Sequence, residues 1–156
     1  MKNNTKKLIL CIAIPLIVGG LSALFTMGQM KAFELVDKPP LSPPGWLFPI
    51  VWSILYILMG IASYLVLYSD EKQSKIECAL GFYSLQLFFN FLWSILFFNL
   101  KIYYFSFLWL IALLILIIIT TVKFYKINKT AGYLLIPYIL WVIFAGYLNL
   151  GIAILN

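Results

Sequence analysis

Read along its length, the chain alternates long apolar runs with short polar breaks. No charge falls in Leu8–Gln29, Pro39–Ser69, Cys78–Leu100, Ile102–Val122 or Thr130–Asn156. The breaks hold every charge. Lys2, Lys6 and Lys7 precede the first run, and Lys31, Glu34, Asp37 and Lys38 follow it. Asp70, Glu71, Lys72, Lys75 and Glu77 form a cluster, Lys101 stands alone, and Lys123, Lys126 and Lys129 close the fourth run. A helix rising about 1.5 Å per residue needs about 20 apolar residues to cross a hydrocarbon core about 30 Å thick. Five windows meet that length: about 8–27, 46–68, 78–99, 103–122 and 133–155. The runs are continuous rather than alternating, which argues against barrel strands. The pattern predicts an all-α membrane protein, a five-transmembrane-helix bundle forming one domain over residues 1–156.

Composition narrows the function. The 11 basic residues are all Lys, the acidic residues number 5, and His is absent. Hydrophobic residues make up 64% of the chain, against roughly 45–50% in ordinary soluble domains. So few charges cannot coat a soluble domain of this size. A soluble enzyme, a disordered tail and a disulfide-rich secreted module are excluded. Without His, the commonest acid–base group and metal ligand is missing. No ionisable Asp, Glu, Lys, Arg or His lies inside a predicted span, which argues against ion-coupled transport, voltage sensing and intramembrane proteolysis of the metal or aspartyl type. No Ser/His/Asp set and no phosphate loop is present. Conventional catalysis is therefore poorly supported, and no catalytic residue, metal ligand or required cofactor is expected.

The lysines orient the spans. Lys2, Lys6, Lys7, Lys72, Lys75, Lys123, Lys126 and Lys129 fall on one side, and Lys31, Lys38 and Lys101 on the other. Positive loops stay cytoplasmic, so the N-terminus is expected inside and the C-terminus outside. The net charge of +6 then reflects topology rather than nucleic-acid binding. The basic start, apolar stretch and Leu21-Ser22-Ala23 also fit a signal peptide, but the apolar run continues past that point and a retained first span is the preferred reading. Cys11 and Cys78 fall near the inner membrane edge in a reducing compartment, so both are expected as buried, inert thiols without a disulfide. The longest break, about residues 28–45, carries Pro39, Pro40, Pro43 and Pro44. Prolines fix φ and exclude helix, so this segment is expected to be stiff and extended. It serves either as a plain helix breaker or as a lid over the helix ends, with Pro43 and Pro44 in the lid.

The spans are rich in aromatics and hold a few amides. Phe48, Trp52, Tyr56 and Met59 recur on one face of the second span. Asn90, Trp93 and Phe97 do so in the third, and Trp141, Ala145, Leu148 and Asn149 in the fifth. An unsatisfied amide in hydrocarbon costs several kcal/mol, so Asn90 and Asn149 should face the bundle interior. Two readings stand. The stripes pack helix on helix, with Asn as interhelical glue. Alternatively they line a cavity for a large, flat, apolar ligand stacking on Trp52, Trp93 and Trp141. Gly19, Ser22, Ala23, Gly60, Ala145 and Gly146 would then leave space or let backbones approach. Spacing alone does not choose between these.

Three ordered motifs carry a resemblance. The stretch Lys38-Pro39-Pro40-Leu41-Ser42-Pro43-Pro44-Gly45-Trp46-Leu47-Phe48-Pro49-Ile50-Val51-Trp52, with Leu55-Tyr56 and Met59-Gly60, resembles the translocator protein family. That family is also called the peripheral-type benzodiazepine receptors or tryptophan-rich sensory proteins. Asn90-Phe91-Leu92-Trp93-Ser94 with Leu96-Phe97-Phe98 is similar to its third-helix motif. Pro137-Tyr138-Ile139-Leu140-Trp141 with Phe144-Ala145 and Leu148-Asn149 is similar to its fifth-helix motif. The resemblance implies a bacterial-type member in the cell membrane, commonly a homodimer. It implies an intrahelical pocket for porphyrins such as protoporphyrin IX or haem, or for another flat apolar small molecule, with a transport or sensory-regulatory role; membrane lipid is a further expected partner. The implied pocket residues are Phe48, Trp52, Tyr56, Asn90, Trp93, Trp141, Ala145 and Leu148, to which the stripe of the third span adds Phe97. Light- and oxygen-dependent porphyrin breakdown, for which Trp52 and Trp141 would be the redox-active rings, is an alternative, as is a ligand-gated regulatory contact with a membrane partner. Leu41 stands where the family often has Trp, and Ala32-Phe33 where a Trp-Tyr pair is common. Nothing basic follows Tyr147, so the cholesterol motif of animal members is not carried over. Without His, binding is expected by stacking and apolar contact rather than by strong axial ligation of haem iron.

Overall fold

A computed structural model describes residues 2–156, the side chain of Lys2 excepted. Helices α1 (Lys2–Thr26), α3 (Leu47–Leu67), α4 (Gln73–Ser94), α5 (Tyr103–Ile127) and α7 (Ile136–Leu155) form the bundle, joined by the short α2 (Met30–Leu35) and α6 (Lys129–Leu134). With their helical extensions, these make five apolar segments long enough to cross a membrane. No strand occurs among the described residues.

The helices outrun the apolar windows that announce them. Helix α5 continues to Ile127 and so includes Lys123 and Lys126, whose long stems lie along apolar surface while the ammonium stays wet. The fifth segment starts at Lys129 and breaks at Leu135, just ahead of Pro137 in the first turn of α7. Pro is tolerated there because that turn's N–H has no intrahelical acceptor to lose. The largest departure from expectation lies at residues 28–45. The chain stays helical through a 3₁₀ turn, Met27–Gln29, and then α2. No proline occurs between Met27 and Lys38 to stop it. Only residues 36–46 form the proline-rich connection.

Helix α1 packs on α3, α4 on α5, and α5 on α7. Inward positions are apolar: Leu55, Met59, Ala62 and Val66 from α3, Ala79 and Leu87 from α4, Leu113 and Ile117 from α5, and Val142 and Ile152 from α7. Outward positions are apolar too, including Ile9, Ile54, Leu108, Leu140 and Ile143. Such a surface suits lipid and would be ruinous in water. The protein is a multi-pass membrane protein. Gly60 permits a close backbone contact between α1 and α3. A methyl there would meet the backbone of Ile12 and come 2.8 Å from the Cys11 carbonyl oxygen. Small residues allow such backbone approach where hydrocarbon gives no driving force of its own.

The thiols divide. Cys11 is buried, whereas Cys78 is exposed. The expectation of two buried thiols is therefore corrected for Cys78, which sits on the outer side of α4 one turn from exposed Lys75.

Buried amides tie α4 to α7. The Tyr138 hydroxyl donates to Gln86 Oε1 at 2.7 Å and accepts from Asn90 Nδ2 at 2.8 Å. Tyr138, Gln86 and Asn90 are each about 1% exposed. Tyr138→Phe keeps the ring and strands both amides. We expect it to lower stability by about 1–2 kcal/mol, read as an earlier thermal transition in detergent. An unchanged transition would show that the network does not hold the helices.

Candidate functional site

The three stripes converge on one cavity of about 510 Å³ at the end of the bundle beneath the proline-rich connection. Pockets for drug-sized ligands span roughly 300–1,000 Å³. Its walls come from α1, α3, α4 and α7, and residues of α2 and the connection roof it.

Each wall follows from local sequence. Helix α1 offers Gly19, Gly20, Ser22, Ala23 and Thr26, a face of small side chains that leaves room. Helix α3 offers Phe48, Trp52 and Tyr56, one per turn. Trp52 and Tyr56 stack at 5.6 Å between centroids, and Phe48 meets Trp141 edge-on at 5.9 Å. At the C-terminal end of α4 the ladder widens into a π-helical turn, Ile95–Asn99. Such turns insert an extra residue and re-aim side chains, often at functional sites. Trp93, Phe97 and Phe98 of this region all reach the wall. Helix α7 supplies Trp141, Ala145, Leu148 and Asn149.

Of the residues singled out from sequence, Phe48, Trp52, Tyr56, Trp93, Phe97, Trp141, Ala145 and Leu148 lie together around this cavity, with Pro43 in the roof. Two do not. Asn90 is buried as expected, but its amide is spent on Tyr138 and it forms no part of the wall. Pro44 lies outside the cavity, and its carbonyl accepts the Leu47 N–H at 3.0 Å where α3 begins. Asn149 acts on the wall through Trp93. Its Oδ1 accepts the Trp93 indole N–H at 3.0 Å, and its Nδ2 donates to the Tyr103 carbonyl at 2.9 Å. That clamp fixes the ring plane. Gly60 and Met59 sit deeper, in helix packing.

Several wall residues lie outside the three stripes. Phe33 packs its ring on Phe97 at 5.8 Å and on Phe98 at 5.2 Å. It belongs to the segment between the first two spans, whose prolines predict an extended connection rather than a helix with a face of its own. Lys38 and Glu34 are the charged residues of the wall. The Lys38 ammonium donates to the carbonyls of Glu34 and Val36, both at 3.3 Å, and stands 4.8 Å from the Phe33 ring centre. Leu41, one of the departures from the family pattern, is 83% exposed with φ 69° and takes no part in the cavity wall.

The roof is fastened to α7. The Tyr147 hydroxyl donates to the Pro40 carbonyl at 2.7 Å. Asn156 accepts from the Asp37 N–H at 3.2 Å and donates to the Asp37 carbonyl at 2.8 Å. Pro39 lies against Gly151, where a Cβ would collide with its ring. The connection is thus a strapped cover over the helix ends, more than a helix breaker requires.

Two polar atoms remain unpaired among the buried side chains of the wall: Trp141 Nε1 and Ser22 Oγ. A buried donor without an acceptor costs about 1–3 kcal/mol. The site as a whole is apolar and ring-lined, with one ammonium, one carboxylate and an unpaired indole N–H. No group of three or more potential metal ligands occurs among the described residues.

Comparison with known proteins agrees with this architecture. A family model described as TspO/MBR matches residues 11–155. The tryptophan-rich protein TspO of Chlorobaculum tepidum is 36% identical over 157 residues, covering 100% of this chain and 99% of its own. The protein of the same name from Archaeoglobus fulgidus is 37% identical, covering 98% and 99%. The translocator protein of Bos taurus is 31% identical, covering 87% and 82%.

Proposed function

The chain belongs to the TspO/MBR family, and from that premise we propose that it binds flat, largely apolar ligands of the porphyrin class in the roofed cavity, in a sensory or transport role. The observation that carries this reading is the convergence of Trp52, Trp93 and Trp141, with Phe33, Phe48 and Phe97, on one cavity. Planar rings bury much area at little entropic loss and stack on planar ligands. The site residues are Phe48, Trp52, Tyr56, Trp93, Phe97, Trp141, Ala145 and Leu148, with Asn149 holding Trp93 in place.

The few polar groups set orientation. Lys38 at the lip gives an anionic edge of the ligand a counter-charge, and a ligand oxygen near Trp141 Nε1 would recover the stranded N–H. Protoporphyrin IX, a flat macrocycle with carboxylates on one edge, fits that pattern better than an uncharged sterol. The protein sits in the cell membrane with the lysine-rich end inside, an orientation supported by the lysine count of each end, and it pairs as a homodimer, as the family resemblance implies.

Titration of the purified protein with protoporphyrin IX should quench tryptophan fluorescence to saturation. Linear, unsaturable quenching would overturn the reading. Lys38→Gln should weaken binding of the dicarboxylate about fivefold, the worth of one modest charge contact. Binding of its dimethyl ester should not change. Equal weakening of both would remove Lys38 from the anionic edge.

A further inference from the structure

A second recess lies at the opposite end of the bundle, outside the ligand cavity. It is a groove of about 280 Å³ between the start of α4 and the end of α5, lined by Ser74, Lys75, Cys78, Lys123, Lys126 and Ile127. Three lysines line it. Lys75 is shared with Glu71, at 3.5 Å. Among the described residues, Lys123 and Lys126 have no carboxylate within ion-pair reach. Of the neighbouring acids, Glu71 also accepts the Lys72 N–H, and Glu77 is bonded by Gln73. The groove is therefore net positive and able to take an anion.

The surroundings say what kind. Lys75, Cys78, Phe82, Leu85 and Phe89 repeat at helical spacing on one face of α4, and Trp109, Leu116, Ile119, Lys123 and Lys126 on one face of α5. The two faces meet: the Lys123 ammonium stands 5.3 Å from the Phe82 ring centre, and Phe89 stacks on Trp109 at 4.3 Å. Phe82, Phe89, Leu116 and Ile119 are only half-buried, and Leu85 is exposed. From the basic groove a partly exposed apolar seam between α4 and α5 thus runs away from the lysine-rich end. A soluble anion needs only the groove; a molecule with a charged head and an apolar tail uses both. Basic recesses between spanning helices hold anionic lipid headgroups in this way.

We propose that this groove is a binding site for an anionic phospholipid, whose phosphate is held by Lys75, Lys123 and Lys126 and whose acyl chain lies along the α4–α5 seam. The site is separate from the roofed cavity and does not depend on what that cavity binds. Cys78, a free exposed thiol in the groove wall, reports occupancy.

The delipidated full chain in neutral detergent is offered phosphatidylglycerol and phosphatidylcholine in equal amounts, and retained lipid is measured by native mass spectrometry. One phosphatidylglycerol should be retained in preference. Lys123→Gln with Lys126→Gln should cut that preference about fivefold per lysine removed, without moving the thermal transition. In parallel, phosphatidylglycerol should slow alkylation of Cys78 by N-ethylmaleimide in the native chain and not in the double variant. Undiminished preference in the double variant, or Cys78 equally reactive with and without the lipid, would overturn the site. If millimolar inorganic phosphate protects Cys78 as well as the lipid does, the groove takes a free anion and the lipid assignment fails.

Discussion

Gly60→Leu is expected to prise α1 from α3 and to cost about 3 kcal/mol or more, the upper end of overpacking losses. The reason is what the new side chain meets. Flexible side chains yield; here the neighbours are the Ile12 backbone and the Cys11 carbonyl, which move only if α1 moves. Gly60→Ala should show the same effect in smaller degree. Because Gly19, Ser22 and Thr26 of α1 form one wall of the cavity, displacement of α1 also opens the site. Thermal unfolding in detergent, followed by the monodispersity of the heated sample, measures the first consequence, and porphyrin titration the second. A Gly60→Leu protein as stable as the parent would show that the two backbones need not approach so closely.

Removing the rings of the site should have the largest effect on binding. Trp52→Ala with Trp141→Ala takes away two planar walls, and with ring contacts worth about 0.5–1.5 kcal/mol each beyond the buried area, affinity for protoporphyrin IX should fall about a hundredfold. Trp141→Phe separates two contributions. It keeps an aromatic wall and removes the N–H that has no protein acceptor. A loss of about fivefold in this variant would assign a hydrogen bond to the ligand; no loss would leave Trp141 as a stacking surface alone. Calorimetry or residual fluorescence quenching reads both variants. Trp141→Phe should not lower stability as Tyr138→Phe does, because the Trp141 N–H has no protein partner to abandon; the double alanine variant also loses ring packing against Tyr56, Phe48 and Tyr138, so its binding is read on the fraction that remains folded.

The relation between stripe and site is uneven, and the exceptions show why. Trp52 and Tyr56 recur at helical spacing and do face the cavity. Asn90 has the same periodicity relative to Trp93, yet it lies behind the wall, because Tyr138 reaches across from α7 to take its amide. Spacing fixes which residues share a face of one helix. It does not say how far along that face the neighbouring helix closes in. Lys38 and Phe33 were hidden for a different reason. They lie in the chain between spans, where helix α2 was masked by the four prolines that follow it.

What the sequence determined by itself is the architecture: five apolar runs set five spanning helices, because backbone polar groups in hydrocarbon must be satisfied within each segment. It also determined, through its motifs, the family. Where the stripes converge was left to tertiary structure, as were the extension of α1 into α2, the strapping of the proline-rich roof to Tyr147, Gly151 and Asn156, and the exposure of Cys78. These depend on contacts between residues up to 119 positions apart. Inside a membrane, moreover, both the core face and the lipid face of a helix are apolar, so composition cannot tell one from the other.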